Sequence, residues 1–78
     1  MDYEMIEKEV KKFVFRQLDN ATYAVLPMEV RNNRAIAFGA VQFAVNHLFP
    51  SYNYDLANWW DEVIYNKFVR LEEEKANV

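Results

Sequence analysis

Two prolines, Pro27 and Pro50, place the strongest constraint on this chain of 78 residues. Proline fixes its own backbone, removes an amide donor and pushes the preceding residue out of the helical region. Both therefore mark boundaries, and between them apolar side chains recur with the 3.6-residue period of an α-helix. A single glycine, Gly39, and the absence of any Gly/Ser stretch leave little turn chemistry for a hairpin-rich β fold. An apolar fraction of 53% with 17% aromatic residues excludes a disordered chain, which lacks side chains to bury. The length allows one core. The sequence thus predicts a single all-α domain, a compact three-helix bundle.

Helix 1 is expected to start at about residue 2, with Asp2 as its N-cap. Tyr3, Ile6, Val10, Phe13, Val14 and Leu18 fall in one arc of roughly 140° on a helical wheel. Two ends are compatible with the pattern. The helix stops near Leu18, because Asp19 and Asn20 are poor interior residues, or it continues to residue 25 through Ala21 and Val25. Glu4/Lys8 and Glu7/Lys11 are acid-before-base pairs at i,i+4.

Helix 2 is expected over about 28–48, with Pro27 suited to its first turn. Ile36, Ala37, Phe38, Ala40, Val41, Phe43, Ala44, Val45, Leu48 and Phe49 cover an arc of roughly 240° on the same wheel. Only a strip with Asn32, Gln42 and Asn46 stays polar, which predicts a largely buried central helix. Gly39 costs about 1 kcal/mol relative to alanine inside a helix, a cost explained by close approach of another backbone or simply tolerated. Helix 3 is expected over about 54–73, after a turn at Pro50 and with Asn53 as its cap. Leu56, Trp60, Val63, Ile64, Phe68 and Leu71 share one face. Beyond it, Glu72, Glu73 and Glu74 crowd the negative end of the helix dipole, which predicts a frayed acidic C-terminal tail.

Catalytic chemistry has little to work with. The chain has no cysteine, one histidine, His47, and one serine, Ser51. Ser51 follows Pro50 without the glycines of a nucleophile elbow. His47 reads as a partly buried helix-end residue interacting with the last carbonyls. Asp55, Asp61 and Glu62 lack metal-ligand spacing with His47, and one glycine excludes a phosphate-cradling loop. We therefore expect no enzyme activity, no metal and no cofactor. The acidic start, MDYEMIEKEV, does not read as a secretory signal, and the apolar stretch 35–45 is shorter than the roughly 20 residues a membrane helix needs. The expectation is a cytoplasmic protein without membrane contact.

A net charge of −3 argues against nucleic-acid binding by the chain as a whole. Local basic clusters nevertheless exist: Lys8, Lys11, Lys12 and Arg16 on helix 1, and Arg31 and Arg34 at the start of helix 2. They define the alternative reading, a small nucleic-acid-binding regulator, although Glu4, Glu7 and Glu9 interleave with the lysines. Aromatic and apolar residues off the core stripes point elsewhere. Trp60 lies mid-stripe, Trp59 at its edge, Phe15 opposite Ile6, and Tyr65 with Val69 opposite Leu71. Phe15, Trp59, Tyr65 and Val69 are thus the candidates for a protein interface. The leading expectation is a non-enzymatic protein-interaction module forming a homodimer through helical aromatic surfaces, with a heterologous protein as the other possible partner.

Overall fold

The computed structural model describes residues 2–48 and 53–77, and of Asn53 and Tyr54 the backbone alone. The turn expected around Pro50, with Ser51, and Phe49 at the end of the helix 2 stripe lie outside the described residues. The fold is all-α, with no strand among the described residues. Helix α1 spans Tyr3–Thr22. Helix α2 spans Pro27–Phe43 and runs without a break into a π-helical turn, Ala44–Leu48. The third rod consists of α3 (Asn53–Trp59), a second π turn (Trp60–Ile64) and α4 (Tyr65–Ala76).

Local chemistry accounts for the helix ends. The Asp2 carboxylate accepts a hydrogen bond from the Met5 amide at 2.9 Å, a cap that contributes about 1 kcal/mol. The far end of α1 falls between the two the sequence allowed. Asp19 and Asn20 are tolerated because both are exposed, whereas Pro27 forces Leu26 into an extended conformation and the chain must leave the helix before it. Val25 consequently leaves the core stripe and is exposed. Lys75, from the end of α4, donates to the Thr22 carbonyl at 2.8 Å and complements the negative end of α1. At the opposite end of the bundle the Tyr3 hydroxyl donates to Asp55 Oδ2 at 3.4 Å. These two contacts make α1 parallel to the third rod. Arg31 and Arg34, early in α2, meet Glu72 at 3.1 and 3.5 Å, so α2 runs antiparallel to both.

The core is divided by side-chain size. The third rod supplies the large residues, Leu56, Trp60, Ile64 and Phe68; α1, α2 and the π turn after α2 supply Val14, Ala21, Val30, Ala37, Val41 and Ala44. Trp60 is 3% exposed, with its ring 5.9 Å from Phe68 and 5.3 Å from Phe38. The four large residues recur at strict i+4 spacing, which in a regular α-helix drifts around the axis. The π turn, with i→i+5 hydrogen bonds and less rotation per residue, keeps them on one face. The same turn moves Val63 off the expected stripe and leaves it exposed.

Two sequence expectations need correction. The central helix is buried along one face only: Ile36 is 51% exposed, Phe43 57% and Leu48 44%, because its alanines and valines are the residues that point inward. The tail is helical through Ala76. Glu72 is drawn in by Arg31 and Arg34, and Lys75 by the Thr22 carbonyl, which outweigh the unfavourable dipole position of the acids.

Two substitutions check this packing. Trp60→Ala should lower unfolding stability by about 3–5 kcal/mol in denaturant titrations; an unchanged midpoint would place Trp60 outside the core. A Cβ added at Gly39 meets no atom within 4 Å, and the backbone there has no positive φ. Gly39→Ala should therefore raise stability by roughly 0.5–1 kcal/mol, and a loss instead would reveal a neighbour at this position.

Candidate interaction surface

Three of the large side chains exposed outside the core, Met5, Phe43 and Leu48, meet beside α1, whereas Tyr23, Val25, Leu26 and Met28 are exposed around the α1–α2 connection. Met5, Ile6, Val10 and Phe13 of α1 and Ala40, Phe43, Ala44 and Leu48 of the second rod line a groove of about 460 Å³. Glu9 is the one charged residue in its lining. Met5 is 59% exposed, as open to solvent as Phe43. Ile36 precedes Ala40 and Phe43 at the i, i+4, i+7 spacing that keeps side chains on one side of a helix, and it extends the apolar strip. Contiguous exposed apolar residues of this kind mark contact surfaces rather than ordinary solvated ones. His47, in the π turn, is exposed, with its ring centroid 5.2 Å from that of Phe43. It is thus at the helix end, as expected, but exposed rather than partly buried, with its ring tilted against that of Phe43.

The four aromatic and apolar interface candidates are distributed differently. Phe15 and Trp59 meet edge to face at 5.7 Å across the seam between α1 and α3, and the Lys11 ammonium lies 5.2 Å over the Trp59 ring. Phe15 stays half-exposed while Trp59 is partly covered. Tyr65 lies in a different hollow, between α2 and the third rod, with Arg34, Phe38, Trp60 and Asp61. The Arg34 guanidinium lies 5.9 Å from the centre of its ring. Val69 is half-buried. The structure therefore brings Phe15 and Trp59 together and sets Tyr65 apart from them. Met5, Ile36, Phe43 and Leu48 were not singled out as interface candidates by the sequence reading. The available signal was the heptad-like spacing of Ile6, Glu9 and Phe13 on α1 beside that of Ile36, Ala40 and Phe43 on α2.

Half of the basic candidates are matched by acids. Lys11 pairs with Glu7 at 3.3 Å, and Arg31 and Arg34 converge on Glu72, whose Oε1 is closed off from solvent. Lys8, Lys12 and Arg16 remain exposed along α1. Among the described residues no cluster of His, Asp and Glu could hold a metal ion.

One polar network ties α1 to the start of α3. The Tyr3 phenol is pushed above its ordinary value by burial, then by the hydrogen bond and charge of Glu7, with Asp55 adding to both effects. It therefore stays protonated and acts as a donor. Glu7 is held below the usual carboxylate range, first by the hydrogen bond from Tyr3 and then by Lys11, while burial opposes both.

The chain matches no protein-family model, no curated protein and no solved structure. The functional reading rests on its own residues.

The Glu7 network generates a pH test. A carboxylate whose folded pKa lies below its unfolded value stabilises the fold above the unfolded value, and that contribution disappears as pH falls through the folded value. Glu7→Gln should therefore lower stability by roughly 0.5 kcal/mol at neutral pH and match the wild type in acid below both values. An equal loss at every pH would mean that Glu7 acts through packing rather than charge.

Proposed function

We propose that this chain is a non-enzymatic protein-interaction module that associates with a second copy of itself through the apolar face of α1 and α2. The observation that carries this reading is the size division on α2. Its small side chains face the core, while Ile36 and Phe43, and Leu48 of the π turn that continues it, stay largely open to solvent, the last two beside Met5. A helix whose bulkiest apolar residues point outward leaves hydrophobic stabilisation unused in the isolated chain, and each such residue is worth about 1.5–3 kcal/mol when fully buried.

The dimensions support the reading. The chain is 43 Å long and only 18 by 15 Å across. Its radius of gyration is 13.1 Å, against about 11.5 Å for a typical domain of this length. A standard interface covers about 800 Å² per partner, roughly one seventh of the 5456 Å² of surface present. The α1–α2 face is long enough to supply that area. Two-fold pairing is the commonest way for a small protein to cover one such face.

The competing nucleic-acid reading is weakened by the pairing of Lys11, Arg31 and Arg34 with acids, which leaves Lys8, Lys12 and Arg16 as its exposed cations. Among the described residues no helix is long and apolar enough to cross a membrane. We place the module in the cytoplasm, a setting with which a cysteine-free chain is compatible.

Light scattering after size exclusion at micromolar concentration tests the proposal. The expected mass is about twice 9.4 kDa, falling on dilution. A mass of 9.4 kDa at every concentration would overturn it.

A further inference from the structure

The hollow between α2 and the third rod is separate from the α1–α2 groove. Arg34, Ala35, Phe38, Trp60, Asp61 and Tyr65 line its volume of about 450 Å³. Phe38 is two residues from both Ile36 and Ala40, which puts it about 160° around the helix from each. Groove and hollow therefore occupy different sides of α2. Phe38 and Tyr65 are exposed aromatic walls, and the buried Trp60 packs against Phe38. In a regular α-helix Trp60 and Tyr65 would point about 140° apart. The π turn, closed by the Tyr65 amide donating to the Trp60 carbonyl, brings both to one hollow. Turns of this kind recur at functional sites.

Arg34 and Asp61 are the two charged residues of the lining. Among the described residues Asp61 makes no ion pair and no hydrogen bond. Arg34 approaches Glu72 Oε1 at 3.5 Å, but that oxygen has no hydrogen-bond partner, so the guanidinium donors are unspent. Glu72 also pairs with Arg31, which leaves the two arginines with one positive charge uncompensated. Unpaired charges occur elsewhere on this surface, as at Lys8, Lys12 and Asp19 of α1. Arg34 and Asp61 differ from those in sharing a hollow with three aromatic rings.

We infer that this hollow binds a small zwitterion with an aromatic body, of the kind a free aromatic amino acid represents. Its ring packs against Phe38 and Tyr65, its carboxylate accepts hydrogen bonds from Arg34, and its ammonium donates to Asp61. A mostly aromatic concavity of a few hundred Å³ with a few polar groups that fix orientation is the usual form of a small-molecule site. The charges exclude the simpler ligands. A cation without an anionic group meets the uncompensated arginine charge, and an anion without a cationic group meets Asp61. The inference stands independently of self-association.

Calorimetric titration with L-phenylalanine tests the inference, beside three probes that each lack one feature. Phenethylamine has no carboxylate, 3-phenylpropionate no ammonium, and alanine no ring. Phenylalanine should bind saturably in the millimolar range or tighter, and each of the others about tenfold more weakly or worse. Asp61→Asn, at an exposed position, should weaken phenylalanine about tenfold while leaving the melting temperature unchanged. Amide NMR shifts on binding should centre on Phe38, Asp61 and Tyr65. No saturable binding of phenylalanine would overturn the inference. So would phenethylamine or 3-phenylpropionate binding as tightly as phenylalanine, which leaves Arg34 or Asp61 without a role. Shifts centred on Met5 and Phe43 would put the ligand in the α1–α2 groove and overturn it too.

Discussion

The fold depends on large side chains of one rod packing against small ones of another. Leu56, Trp60, Ile64 and Phe68 need room, and α2 with the π turn that continues it provides it by presenting Val30, Ala37, Val41 and Ala44. Close packing of this sort is sensitive to volume, so neither set can change size alone. The arrangement has a consequence for the rest of α2. With its inward positions taken by small residues, its bulky ones must occupy the flanks. Phe38 is partly used there, against Trp60, while Ile36, Phe43 and Leu48 remain open. The same constraint that closes the core therefore creates the exposed apolar face.

The polar contacts act at the bundle's ends. Tyr3 with Asp55 at one end, and Lys75 with Thr22 plus Glu72 with the two arginines at the other, fix how α1 and α2 run relative to the third rod. Partly exposed pairs contribute little stability individually, on the order of 0–1 kcal/mol. Their effect is to set register and direction, which hydrophobic burial, being non-directional, cannot do.

Helical periodicity and two prolines were enough to read the three-helix architecture, the Asp2 cap and the core role of Trp60 from the sequence. Other features were not legible because they depend on partners distant in the chain. The arc of α2 showed how many apolar residues it carries, but not that alanines rather than phenylalanines would face inward. Val63 matched the stripe of a regular helix and left it through a π turn that no local pattern announced. Glu72 read as a dipole liability until Arg31 and Arg34 were brought to it. At the candidate site the limit was similar. Phe15 and Trp59 were recognised as off-stripe aromatics, yet they turn toward each other, whereas the groove around Phe43 arises only when α1 and α2 lie side by side.

The central claim is that the outward-facing residues of α1 and α2 are covered by a second copy of the chain. Isotope-filtered NMR on a mixture of carbon-13-labelled and unlabelled protein tests it directly. Cross-protomer contacts should appear from the methyl groups of labelled Met5 and Ile36 to ring protons of the unlabelled chain. A spectrum without any contact between protomers at those methyl groups, at concentrations where the chain is associated, would contradict the account.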